Sequence, residues 1–422
     1  MKNSKYPFII SAFLVISLSL SSCGSLLKQA EEAVQGDYGP TYSTQEHQTR
    51  TFNALWNDLA QYYIYHDSDK VNWDTLQKEY LGRIESGLTD KQFVDLLHEL
   101  ETKLPAGALL YQSRSERLEV DTADFSTYEG IGAIVGFQEK EVPHVVILDV
   151  IDGSPAEQAG LKPHDSIFQI DGSPVLQGEG LTVVNRIRGP AGSSVTLDVK
   201  TPGKEARSIK VTRGKLTSTG KLEASLIPGT HYGYLLFPAI SYTGMLDDVT
   251  ASLQKFTTNQ KMEGLILDLR VAGSSRGWPL EDLLTLFHNG KIGEFYNNAK
   301  QTQPVVITGK DSFSSQSVPL IVLIGQNTNG FPEILAASLQ VGNRATIVGE
   351  PTIGAIETTN SFYLPDGSRI FIEIASFRLP NGDDIGISGV QPDVTVAAGW
   401  DDILPNADPV LDKAVELLKE KK

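Results

Sequence analysis

The stretch from Pro319 to Thr359, PLIVLIGQNTNGFPEILAASLQVGNRATIVGEPTIGAIETT, constrains the fold of this chain more than any other. Pro319 to Gly325 is a short, uniformly apolar run, which suits a strand buried on both faces rather than on one. Gln326 to Gly330 is turn chemistry, Pro332 suits the first turn of a helix, and Ala345 to Val348 supplies a second strand. The spacing therefore predicts a strand-helix-strand unit of an α/β sheet. The turn that leaves the first strand lies at the sheet's carboxyl edge and opens onto a helix N-terminus, a common place for chemistry.

At 422 residues the chain has room for two or three domains. Its net charge of -16 argues against nucleic acid as a partner, because phosphate binding needs concentrated Lys and Arg. Lys2 and Lys5 precede the apolar run Pro7 to Leu20, which is too short to span a bilayer and reads as a targeting segment. It ends in Leu20-Ser21-Ser22-Cys23, which resembles a bacterial lipobox, and Cys23 is the only cysteine, so no disulfide within the chain competes for it. The expectation is a signal peptide over 1-22, a lipid anchor at Cys23, a flexible tether over 23-45 and an exported, membrane-anchored, extracytoplasmic lipoprotein.

Three helical patterns follow over 46-118. Phe52, Leu55, Trp56, Leu59, Tyr62 and Tyr63 recur at helical spacing, Leu76, Tyr80 and Ile84 form a second stripe, and Thr89 with Gln92 reads as a capping box ahead of Phe93, Leu96, Leu97 and Leu100. His98-Glu99 lacks the second His that a zinc helix needs, so no metal site is expected. The chain shows neither a P-loop nor a dinucleotide glycine fingerprint, and no cofactor is expected. From 214 onward strands and helices alternate, with Met262 to Arg270 a strand with a charged exit, Leu280 to Phe287 a helix, Ser368 to Leu379 a β hairpin or pair of strands, and a C-terminal helix capped by Asp408.

Over 119-213 the segment GSPAEQAGLKPHDSIFQIDGSPV, Gly153 to Val175, resembles a PDZ domain, with His164 standing where that family usually has Gly. The resemblance implies a carboxylate-binding loop at Gly130, Ile131, Gly132 and Ala133, whose backbone amides form a nest for a peptide C-terminus. It also implies a groove lined by Leu181, Val184 and Ile187 of a following helix. Polypeptide C-termini are the partners this predicts.

Helical domain, PDZ domain and α/β core in this order, with the pieces GLILDLR, PLIVLIG, RATIVGE, GVQPDV and DPVLDKAVELL, resemble the carboxyl-terminal processing peptidases of serine-protease family S41. That resemblance implies a crotonase/ClpP-like α/β core over 214-422. It also implies a Ser nucleophile, a Lys general base and a Gln that positions the Lys, because a hydroxyl is a poor nucleophile until a neutral amine takes its proton. The positions that match those roles hold Gly330, Ala355 and Thr359, and the oxyanion loop reads Gly273-Ser274-Ser275 within VAGSS. Without nucleophile, base and positioner, acyl transfer has no groups to perform it. The leading expectation is a non-catalytic homologue, an adaptor or regulator that binds C-termini and pairs with an active relative. The alternatives are a serine or threonine endopeptidase with a rearranged site, using Thr328 or Ser274 with Glu357 as base, and a structural envelope lipoprotein.

Overall fold

The computed structural model describes residues 44-421, except 106, 118-127, 140-141, 217-219, 259-260, 275-276 and 405-406. Cys23, residues 24-43 of the expected tether and the domain boundary expected at 118/119 lie outside these residues, and the last expected tether residue, Gln45, begins the first helix. The chain forms two compact units, one of residues through 58, 70-118 and 361-371, the other of 59-69, 119-360 and 372-422.

The first unit is built on the expected helices α1 (Gln45–Tyr62), α2 (Trp73–Glu85) and α3 (Asp90–Lys103). The capping box forms, with the Gln92 amide donating to Thr89 Oγ1 and the Thr89 amide to Gln92 Oε1 at 2.9 Å. Phe52 stacks on Trp56 and Tyr80, and Arg83 forks onto Glu99 at 2.7 and 2.8 Å, joining α2 to α3. Strand β1 (Leu110–Gln112) pairs antiparallel with residues 369-371.

In the second unit, the PDZ-like region contains β2 (Tyr128–Gly130), β3 (Ala133–Gln138), β4 (His144–Val150), α4 (Pro155–Gln158), β5 (Ser166–Ile170) and β6 (Ser173–Pro174). It continues with α5 (Val184–Ile187), β7 (Ser194–Lys200), β8 (Arg207–Thr212) and β9 (Gly214–Leu216). The sheet runs β3-β4-β5-β7-β8, and β2 and β9 form a separate ribbon. Buried Asp165 takes Arg207 at 2.8 Å, and Asp171-Gly172 turns through φ 49 and 74° as an Asp-Gly turn should. The helix expected over 181-187 is a 3-10 turn, Gly180–Val183, followed by one α turn, because Gly180 starts it at φ 55° and no side chain caps it.

The core adds β10 (Glu223–Leu226), β11 (Tyr232–Leu236), α6 (Met245–Thr257), β12 (Gly264–Asp268), α7 (Leu280–Phe287), β13 (Gly290–Asn297) and β14 (Thr302–Ile307). It closes with β15 (Leu320–Ile324), α8 (Phe331–Val341), β16 (Thr346–Gly349), β17 (Thr358–Tyr363), β18 (Arg369–Arg378), α9 (Ile385–Ser388), β19 (Val394–Thr395) and α10 (Pro409–Glu420). The main sheet runs β10-β11-β12-β15-β16-β19 and is parallel from β11 onward. Alternate residues of one strand serve opposite layers. Leu320, Val322 and Ile324 join Leu335 and Leu339 of α8, while Ile321 and Leu323 join Val410, Ala414 and Leu418 of α10. This two-sided burial is why β15 reads as a continuous apolar run.

The expected break within 368-379 is absent. RIFIEIASFR has no Gly, Pro or Asn to turn it, and β18 runs unbroken with β17 as its hairpin partner across the Asp366-Gly367 turn. Its last residues pair with β13.

Candidate functional site

At the carboxyl end of β15 the chain turns through 325-330 into α8, as the strand-helix-strand pattern predicts. Thr328 closes this turn. Its Oγ1 accepts from the Gly325 amide at 3.0 Å and donates to the Leu269 carbonyl at 2.8 Å, and the side chain is fully buried. The loop after β12 is laced to the same turn, with the Asn329 amide on the Ala272 carbonyl and the Ser274 amide on the Asn329 carbonyl, both at 3.1 Å.

Gly330, at the position implied for a nucleophile, caps α8 with φ 71° and ψ -133°, a conformation that L side chains rarely adopt. A Cβ placed there would stand 2.2 Å from Ser274 Cβ and 3.0 Å from its Oγ. Ser274 thus occupies the space a side chain at 330 would need. Its own hydroxyl is exposed and makes no hydrogen bond among the described residues. Ser275 lies outside them.

Glu333 holds the site together from beneath. One carboxylate oxygen accepts the Gly330 amide at 3.0 Å and the other the Gly354 amide at 2.7 Å, so residue 330 and the neighbour of residue 355 share one fully buried carboxylate. Burial raises its pKa from the ordinary value. Gly354, at φ 83°, lies against the Gly386 and Ile385 carbonyls, where a Cβ would come within 2.7 and 2.8 Å. Ala355 beside it is exposed, and Thr359 stands exposed on β17. The fold therefore brings position 330 and the neighbour of position 355 onto one carboxylate at the carboxyl edge.

Glu357, considered above as a base, is occupied elsewhere. It accepts the Tyr65 hydroxyl at 2.6 Å, and Tyr65 also reaches Ser376 Oγ at 3.1 Å. Burial raises the Glu357 pKa, and Glu373 is pushed up to about 7 by burial and then by the Glu357 charge. Neither Thr328 nor Ser274 bonds to Glu357 among the described residues.

Two features escaped the sequence reading. Arg270 donates to Asp268 at 2.5 Å and to Asp408 at 2.7 Å, Tyr234 donates to Asp268 at 2.7 Å, and the guanidinium lies over Trp400, so the exit of β12 is pinned to the cap of α10. The signal was a charged pair at the end of a buried strand. Nearby, a cavity of 1190 Å³ opens at the carboxyl ends of β11 and β12, walled by Phe237, Arg270 and Trp400 on the core side and by Leu148, Leu161 and His164 on the PDZ-like side.

In the implied carboxylate loop, the Ile131 carbonyl accepts from the Ala156 amide at 2.7 Å and the Gly132 carbonyl from the Ile151 amide at 2.9 Å. The amides of Ile131 and Gly132 have no acceptor among the described residues, the condition a carboxylate nest requires. Gly132 is at φ 81°, and a Cβ there would meet Ser154 Cβ at 2.3 Å. Ala133, Val135 and Phe137 of β3 and Val184 of α5 are half-buried against the domain's core, whereas Ile187 is wholly within it. The Leu181 side chain is not among the described ones.

The model of peptidase family S41 matches residues 231-396, a PDZ domain model 146-201 and the tricorn protease C1 domain 44-101. The carboxyl-terminal-processing protease of Picosynechococcus sp. is 30% identical over 361 residues, covering 81% of each chain. That of Synechocystis sp. is 29% identical over 377 residues, covering 86% of this chain and 85% of the relative. The photosystem II D1 C-terminal processing protease structure superposes with a TM-score of 0.64 at 24% identity, over 85% of this chain and 95% of that one.

Proposed function

The chain belongs to peptidase family S41, with carboxyl-terminal-processing proteases as its homologues, and from that premise we propose that it is a member that binds polypeptide C-termini without cutting them. The observation that carries the proposal is at residue 330, where a glycine at positive φ has its side-chain space taken by Ser274. The hydroxyl of Thr328 is bonded on both sides and Glu357 is bonded to Tyr65, so the substitutes for a triad are already engaged. The open amides of Ile131 and Gly132 support carboxylate capture, and half-buried Ala133, Val135, Phe137 and Val184 offer apolar contacts to a peptide added as a strand.

A lipid on Cys23 would hold this domain array at an extracytoplasmic membrane face, where an active relative is the partner such an adaptor serves. Among the described residues no helix is long and apolar enough to cross a membrane. Incubation of the purified full chain with an unfolded protein bearing an apolar C-terminus, followed by mass spectrometry, is expected to give no products. Calorimetry should show a free-carboxylate peptide binding more tightly than its amide. Metabolic labelling with a radioactive fatty acid, lost in Cys23→Ala, tests the anchor.

One observation favours a second reading. Ser274 presents an exposed hydroxyl close to where a side chain at 330 would begin, which suits a relocated nucleophile. Reproducible cleavage abolished by Ser274→Ala or Thr328→Ala would replace the first reading with a rearranged protease.

A further inference from the structure

Strand β4, HVVILDV, is buried from His144 through Leu148 without alternation. Val145 and Ile147 belong to the PDZ domain's own core, while Val146 and Leu148 join Val271, Trp400 and Ile403 of the S41 core in a separate apolar cluster. The domain is therefore seated on the core by its sheet. Two histidines flank that seat. His144 Nε2 lies 2.7 Å from Asp401 Oδ2 and its Nδ1 2.7 Å from the Val142 carbonyl. Both neighbours only accept, so both ring nitrogens must donate, which defines an imidazolium. His164 Nδ1 lies 2.6 Å from the Trp400 carbonyl, with its ring 4.2 Å from the indole, and one proton satisfies that bond. His164 also adopts φ 75°, where the PDZ resemblance has glycine. A non-glycine residue persists there only when its surroundings hold it.

We propose that His144 and His164 form a latch that locks the PDZ domain onto the turn Trp400–Asp402, closed when His144 carries a proton and His164 does not. The groups that face His144 are Asp401, Asp402, the Val142 carbonyl and the Phe168 ring. Those that face His164 are Trp400 and Arg270, with Asp268 and Asp408 behind. Burial lowers the His144 pKa, but the bonds to Asp401 and Val142 more than offset it and leave it above the ordinary 6.5. Burial and Arg270 leave His164 below 6.5. The His144 contribution is complete below its undocked value and is lost as pH rises through the docked one. The His164 contribution is complete above its undocked value and is lost as pH falls through the docked one. Docking is thus tightest near the ordinary imidazole pKa and loosens on both sides.

The latch governs the site because β3, the groove strand, touches the turn before Gly330. A Cβ on Gly136 would stand 2.3 Å from Asn327 Oδ1, so the Asn327 side chain lies against the strand in space that only a glycine leaves open. This holds whether or not the site cuts.

Hydrogen exchange of the full chain, corrected for the intrinsic rate at each pH, tests the latch on the amides of residues 144-150 and 399-403. Protection should peak near pH 6.5 and fall on either side, by up to about tenfold for each unit that a histidine's pKa moves on docking. His144→Gln should remove the alkaline limb alone, and His164→Gly the acid limb alone. A flat wild-type profile, or one unchanged in both variants, overturns the latch. Loss of protection in 331-341 would mark an unfolded variant, and Asp401→Asn then tests the alkaline limb from the core side, where an unaltered limb also overturns it.

Discussion

The turn at 325-330 and the loop at 130-133 are both glycine-bearing connections next to a strand end, and they dispose of their polar groups in opposite ways. In the first, the Thr328 hydroxyl and the Glu333 carboxylate are bonded inward, to Leu269, Gly325, Gly330 and Gly354. In the second, the carbonyls are tied back to Ile151 and Ala156 and the amides of Ile131 and Gly132 have no acceptor among the described residues. A site committed to holding its own shape differs from one that reserves donors for a ligand, and the difference is visible in hydrogen-bond accounting before any function is assigned.

The contrast is sharpest at Glu333. Glu333→Ala leaves two amides without their acceptor beneath α8 and opens a cavity, and should cost about 2 to 4 kcal/mol in urea unfolding. A loss below about 0.5 kcal/mol would mean that the turn does not rest on this carboxylate. Gly330→Ser should cost about 1 to 3 kcal/mol, through positive φ and the clash with Ser274, and on the proposed function should bring no cleavage. Adding Ser274→Gly should recover part of that cost, and strict additivity would show that the two residues do not compete for space. On the other side of the comparison, Gly132→Val should weaken a free-carboxylate peptide by about tenfold or more, to the level of its amide, in calorimetry.

The smallest effect is electrostatic. The Glu373 pKa of about 7 lies above the ordinary 4.5, so the stability it contributes is complete below pH 4.5 and is lost as pH rises through 7. Glu373→Gln should flatten that part of the stability-pH profile by about 1 kcal/mol, allowing for solvent screening.

What the sequence discloses and what it hides divides by range. The strand-helix-strand unit, the Thr89 capping box, the Asp408 cap and the PDZ turns are set by residues a few positions apart, and each appears where the pattern puts it. Residues far apart in the chain were not legible. Nothing local says that Thr328 will bond the carbonyl of Leu269, that Ser274 will fill the space at Gly330, or that Tyr65 will claim Glu357. The uniform burial of β4 could have been suspected from HVVILDV, whose apolar run is too long for a strand with one face in water. A one-turn helix such as α5 carries too little periodicity to be bounded from sequence.

Positions 330 and 355 are unequal in how easily they could change. Ala355 faces solvent, so a lysine could be placed there against little resistance. Gly330 is fenced by Ser274 and by its own backbone angle, so a serine would fit there without strain only if a second substitution cleared its place. On the proposed function, a chain that acquired a lysine at 355 first would gain nothing from it, and selection would have no reason to keep it. The crowding around one glycine therefore acts as a ratchet on the whole site, independent of how many of its other residues survive.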